Sequence, residues 1–205
     1  MTANEQLERI LERGRSAARR ELGPEDAERL DARARARIAP LQDAAPRLRD
    51  RVNRGLFALA VPLLAVYRAL RLDLGLEEAP ALRLAGEMLE VSFMAAFTPL
   101  KRAVFSLGMD LVPLRNLVIR RTLAVREPEG FQFERASLGA AAFGFDVKRC
   151  AITEYARTQG APEIVPLICR LDDLMAQHVK HYRLERTGTL GAGAERCDFR
   201  YYRKG

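Results

Sequence analysis

Tryptophan is absent from the 205 residues, aromatics make up only 7%, and there are two histidines, three cysteines and four lysines. The three thiols, Cys150, Cys169 and Cys197, are an odd number and read as free cysteines of a reducing cytoplasm. A chain of this length buries a usable core without disulfides or metals. No Cys-x-x-Cys or His-Glu-x-x-His spacing occurs, so His178 and His181, three apart, carry only a weak zinc signal. Neither a metal nor a cofactor is expected. The N-terminus lacks a basic stretch followed by an apolar core, so no secretory signal is read there. The longest apolar run, Leu56 to Tyr67, is twelve residues interrupted by Pro62. A bilayer-spanning helix needs about 20, so the run reads as a buried helix and no membrane partner is expected. Gly191 and Gly193 lack the third glycine and the strand-turn-helix context of a nucleotide cradle, and there is no Gly-x-Ser-x-Gly elbow.

Hydrophobic residues at 48% and charged residues at 30% are ordinary for a globular chain. Thirty of the 34 basic residues are arginine, which fits the coding bias of a GC-rich genome. The net charge of +7 favours anions in a general way, but 27 acidic residues are interspersed, so no nucleic-acid partner is expected.

Composition divides the chain. Residues 1–54 hold 13 Arg, 10 acidic residues and few large apolar side chains. Leu7, Ile10, Leu11, Ala17, Ala18 and Leu22 recur at helical steps, Gly23-Pro24 starts a second helix that ends near Pro40, and a third runs from about Leu41 past Pro46. The narrow apolar stripe suggests an arm of helices laid on a larger body or on a second subunit, with a homodimer through these helices as the expected assembly. Residues 55–205 form the second unit. Within it, Leu56 to Leu72 and Leu82 to Leu107 read as core helices, and Glu87 with Glu90 reads as the polar edge of the latter more readily than as an acid–base or metal pair.

From Glu127-Pro128-Glu129-Gly130 onward the pattern changes. Phe143 to Cys150 alternates like a strand, with Phe143, Phe145 and Val147 on one face and Asp146 and Lys148 on the other. Ala151 to Gln159 is a helix closed by Gly160, and Pro162-Glu163 starts another that reaches about Gln177. Tyr182 to Leu190 and Cys197 to Tyr202 read as strands joined by the turn at Gly191-Ala-Gly193-Ala. The fold class is therefore α+β: a mostly helical N-terminal two-thirds and a small C-terminal antiparallel sheet, β-α-α-β-β, with a helical hairpin on it.

The residues with chemistry in them collect in that last third. Cys169 and Asp172 share a helix face, which suits a nucleophile with a base or a pair of metal ligands, although a buried cysteine is also a small hydrophobe. Cys197 and Asp198 are strand neighbours, so only one of them can face a given pocket. Arg186 suits a bidentate grip on a carboxylate or a solvated surface position.

The ordered set Phe145-x-Val147-x-x-Cys150, Gly160-x-Pro162-Glu163, Cys169-x-x-Asp172, Arg186-Thr187-x-Thr189-Leu190-x-x-Gly193-x-x-x-Cys197-Asp198-Phe199 resembles the L-2-amino-thiazoline-4-carboxylic acid hydrolase family over about residues 140–203. The resemblance implies hydrolytic opening of a five-membered ring by attack on its C=N carbon, with a small-molecule substrate. It implies Cys169, Asp172 and Cys197 as catalytic residues. Arg186 would clamp a substrate carboxylate, and Thr187, Thr189, Asp198 and Cys150 would complete the substrate site. Two other functions fit the same residues: action on another amino-acid-derived ring in secondary metabolism, and a non-catalytic module that binds a small molecule or a partner.

Overall fold

The computed structural model describes residues 2–205. Helix α1 (Ala3–Leu22) starts at a reciprocal cap, in which the Thr2 hydroxyl accepts from the Glu5 amide at 3.2 Å and the Glu5 carboxylate accepts from the Thr2 amide at 2.9 Å. Gly23, at φ 83°, makes the corner that sends α2 (Pro24–Asp43) back along α1. The apolar stripe of these two helices lies on the chain's own body: Leu7, Ile10, Leu11 and Leu30 are buried against α4 (Ala60–Arg68) and α5 (Glu78–Ala96). Gly14 makes the approach to α5 close, since a Cβ there would stand 2.7 Å from Met88.

The expected helix boundaries around Pro40 are corrected. Helix α2 continues through Pro40 to Asp43, because a proline near a helix end removes only one backbone bond and leaves the exposed Ala36 carbonyl to water. No helix crosses Pro46. The next one, α3 (Arg51–Phe57), is started by Asp50, whose carboxylate accepts from the amides of Val52 and Asn53. Helix α3, α4 and a π-helical turn (Ala69–Asp73) make a 23-residue stretch that holds an 18-residue window of mean hydropathy 1.6, long and apolar enough by length and composition to cross a bilayer. It is the core of the fold, with Leu63, Leu64, Val66 and Leu70 each 0% exposed.

The single core helix expected over Leu82 to Leu107 is two helices. Helix α5 ends at Ala96, and Thr98-Pro99 opens α6 (Pro99–Asp110), with the Thr98 hydroxyl capping the Lys101 amide. Helix α6 contributes no buried residue, and α7 (Val112–Ala124) contributes only Arg115. These two helices form one wall of a cavity and are not a filled core, so Leu114 and Val118 keep surface open to it.

The sheet has four antiparallel strands in the order β1-β2-β4-β3: β1 (Gln132–Arg135), β2 (Phe143–Arg149), β3 (Tyr182–Glu185) and β4 (Cys197–Arg203). Strand β1 is an addition to the expected β-α-α-β-β order, and β3 stops five residues short of Leu190. Helices α8 (Ala151–Thr158) and α9 (Val165–Gln177) form the expected hairpin, with a 3₁₀ turn over Pro162–Ile164 between them. The register sets Phe133 beside Val147, Phe143 beside Tyr201, Phe145 beside Phe199 and Val147 beside Cys197, all on one face. The opposite face carries Asp146, buried and ion-paired to Arg200 at 2.7 Å. Two polar ties join the C-terminal part to the helices before it. Asn53 joins Glu127 and the Phe131 amide, and the Tyr155 hydroxyl donates to the Leu41 carbonyl.

Candidate functional site

The aromatic face of the sheet is a floor. Phe143 stacks on Tyr201 with centroids 4.6 Å apart, and Phe145 stacks on Phe199 at 4.8 Å. Helices α9 and α7 stand over that floor without filling the space, which leaves a cavity of about 540 Å³. Its walls are almost entirely apolar. The polar groups that reach it are Cys150, Cys169, Asp172, Arg186, Cys197, Tyr201, Thr122 and Arg115.

Five residues singled out in the sequence therefore meet at one cavity from four elements. Cys150 sits at the start of α8, Cys169 and Asp172 share the inner face of α9, Arg186 follows β3, and Cys197 opens β4. The Leu190 amide donates to Cys197 Sγ at 3.2 Å, so the turn after Arg186 is fastened over the thiols. Gly191 permits that closure, because a Cβ there would stand 2.5 Å from Val165 and 3.6 Å from Cys169 Sγ.

Thr187, Thr189 and Asp198 lie outside the cavity lining. Asp198 points away from Cys197, as strand alternation requires, and accepts from the Thr187 amide, the Thr187 hydroxyl and the Gly188 amide at 2.6–2.9 Å. Partial burial opposes ionisation of Asp198, but these donors outweigh it and hold its carboxyl below the usual range. Thr189 caps the 3₁₀ turn at Leu190–Ala192 through the Ala192 amide. These three residues build the loop that carries Arg186.

Arg186 is not a free cation. It pairs with Asp172 at 3.2 Å and Asp173 at 2.5 Å, and donates to the Cys169 carbonyl at 3.2 Å. Its guanidinium also lies 5.1 Å from the Phe199 ring centroid. Two carboxylates already neutralise it, so it holds the site's own acid in place.

Burial pushes the Asp172 carboxyl up to about 6; Arg186 works against that shift and Asp173 adds to it. The Asp172 side chain is 37% exposed, and it borders the cavity beside Ile168, Cys169 and Met175. Its open surface thus meets an apolar chamber, which is why burial dominates. Burial also pushes the Cys169 thiol up to about 12, with Cys150, Asp172 and Cys197 adding to the shift. Cys150 and Cys197 are raised for the same first reason, and so is the Tyr201 hydroxyl. All three cysteines are free and burial disfavours their thiolate forms, and Asp172 is the one carboxylate in the cavity lining.

The two histidines stand elsewhere. His181 Nδ1 lies 2.9 Å from Asp110, and His178 packs edge-on to Phe97. Glu87 and Glu90 pair with Arg20 and Arg170 across the surface of α5. Among the described residues, no group of three His, Cys, Asp or Glu side chains is arranged to hold a metal ion.

Arg115, Thr122 and Tyr201 are polar lining residues that the sequence alone did not single out. Strand alternation two residues beyond Phe199 is the signal that could have found Tyr201, whereas Arg115 sits among apolar neighbours on a helix and carries no motif.

No curated protein and no solved structure matches the chain. The family model for L-2-amino-thiazoline-4-carboxylic acid hydrolase matches residues 53–201, which takes in most of α3, all of α4 to α9, the sheet up to Tyr201 and every residue that lines the cavity except Val52. The chain therefore belongs to the L-2-amino-thiazoline-4-carboxylic acid hydrolase family.

Proposed function

We propose that the protein is a hydrolase that opens a small amino-acid-derived heterocycle of the 2-amino-thiazoline-4-carboxylate kind. The observation that carries this reading is Asp172: a carboxylate raised to about 6, beside three thiols, at the polar end of a chamber otherwise apolar. Such a group is ionised at neutral pH and basic enough to take a proton from water. Arg186 keeps it fixed and accessible from one side.

The ring carbon under attack bears sulfur, the ring nitrogen and an exocyclic amine. Asp172 accepts a proton from water as the oxygen bonds to that carbon, and the former C=N electron pair moves to nitrogen. Asp172 returns that proton to the ring nitrogen, and the tetrahedral carbon then expels the nitrogen as an amine while the added hydroxyl passes its own proton to it and becomes the carbonyl. The product is the open-chain S-carbamoyl amino acid, heavier by one water. Cys169, Cys197 and Cys150, held as neutral thiols, supply soft, polarizable contacts to the ring sulfur and are not the attacking group. Three unpaired thiols fit a reducing cytoplasm.

A second reading, action on a different and larger ring-bearing molecule, is favoured by the 540 Å³ of the chamber. Incubation with 2-amino-thiazoline-4-carboxylate tests the reaction itself. Hydration that disappears in Asp172→Asn supports it, and no hydration at any concentration removes it.

A further inference from the structure

Arg115 lines the same cavity as Asp172 but lies over Phe143, whereas Arg186, which pairs with Asp172, lies near Phe199. Arg115 is 8% exposed, and its Nη1 donates to the Met109 carbonyl at 2.9 Å and to the Tyr182 hydroxyl at 3.1 Å. Its Nε is buried with no hydrogen-bond partner. Among the described residues no carboxylate forms an ion pair with it, and Asp110, five positions earlier, bonds His181 instead. The guanidinium lies 4.1 Å from the Phe143 centroid and 5.5 Å from that of Tyr182, which offsets only part of the cost of holding an unpaired charge out of water. Arg186, in the same cavity, already has two carboxylates.

The floor gives the spacing. Arg115 lies over Phe143 and Arg186 lies near Phe199, which is the cross-strand neighbour of Phe145. Phe143 and Phe145 are two residues apart on one strand, about 7 Å along the sheet. In a thiazoline-4-carboxylate the carboxylate is attached only two ring atoms from the electrophilic carbon, so one such molecule is far smaller than the cavity. A cavity of about 540 Å³ is in the range that holds a whole drug-sized ligand.

We propose that Arg115 is the anion clamp of this cavity and that its ligand is an organic anion with a flat apolar body. The anionic group pairs with Arg115, the body lies on the Phe143–Tyr201 and Phe145–Phe199 floor, and the reacting ring is at Asp172. This rests on the reading of the Asp172 end as the reactive one. A bare thiazoline carboxylate then fills one end only and binds weakly.

The test compares two isosteric probes on the full-length protein, 1-naphthaleneacetate and 1-naphthaleneethanol, by calorimetric titration. The acid is expected to bind roughly 10- to 100-fold more tightly, the range of a buried charge-assisted hydrogen bond. In Arg115→Met the preference disappears while affinity for the alcohol is kept, which also reports an intact cavity. In Asp172→Asn the ratio stays within about twofold. A ratio near one in the unmodified protein, a preference retained in Arg115→Met, or binding of neither probe overturns the proposal. So does a large rise in acid affinity in Asp172→Asn, since that anion would be on the freed Arg186. A protein that prefers the acid yet hydrates no thiazoline keeps the clamp and loses the reaction. One that hydrates thiazoline with no preference keeps the reaction and loses the clamp.

Discussion

Asp172 and Cys169 differ in a way that residue type alone does not reveal. Both are pressed by the same apolar surroundings, and Arg186 opposes the rise of each, yet the carboxyl goes from 3.8 to about 6 and the thiol from 9.0 to about 12, so at neutral pH only the carboxyl is ionised. Asp172→Asn is therefore expected to lower turnover by about 10²–10⁴-fold, read from initial rates, with the circular dichroism spectrum unchanged. Cys169→Ser is expected to keep the rate within a few-fold, and loss of activity on the scale of Asp172→Asn would restore a covalent route. Since the base must be ionised, kcat/KM is expected to rise with pH through about 6 and level off above it. Stability runs the opposite way. A carboxyl whose folded-state pKa is raised from 3.8 favours the fold when protonated, so its contribution is lost as pH climbs from about 4 to about 6. The melting temperature of Asp172→Asn should accordingly gain on that of the unmodified protein across that interval; a constant difference would deny the shift. At this scale the Cys-x-x-Asp spacing and the strand parity of Cys197 were legible in the sequence. The pairing of Arg186 with Asp172 and Asp173 was not, because it depends on a loop that Asp198 folds through Thr187 and Gly188.

Elements were legible where period and caps agreed. The alternation over Phe143–Arg149 and the helix starting near Pro162 are where the pattern put them. Strand β1 was missed because Gln132–Arg135 has one apolar residue, Phe133, and earns its place by pairing with β2 and not by its own pattern. The break at Phe97–Thr98 was hidden inside a long apolar stretch, although Thr98-Pro99 carries the cap and the first-turn proline that announce a new helix. The Leu190–Ala192 turn is the element most tightly bound to function, since it presses on α9 beside Cys169 and fastens Cys197. Gly191→Ala is expected to cost about 1–3 kcal/mol in denaturant unfolding and to slow turnover, because the methyl must displace Val165 or the turn itself. An unchanged midpoint with full activity would mean that the turn is not held there.

Across the whole molecule, the Arg-rich helices α1 and α2 share one continuous core with α4 and α5. Of the larger body or second subunit that the apolar stripe suggested, it is the chain's own body on which the stripe packs, with Leu63, Leu64 and Met88 in the same core. A chain beginning at Gly55 is therefore expected to lose cooperative thermal unfolding; a truncated protein with an unshifted transition would show that α1 and α2 are dispensable. The α+β class and the place of the sheet were readable from composition and period. The cavity was not, since it arises from helices that stand over the sheet without filling the space between, and no local pattern records a void. The measurement that bears most directly on function is mass spectrometry of the products after incubation of the purified protein with L-2-amino-thiazoline-4-carboxylate. The expected result is a product heavier by one water that is absent with Asp172→Asn. Product formed equally by the Asn variant, or none formed by either protein, would contradict ring opening at Asp172.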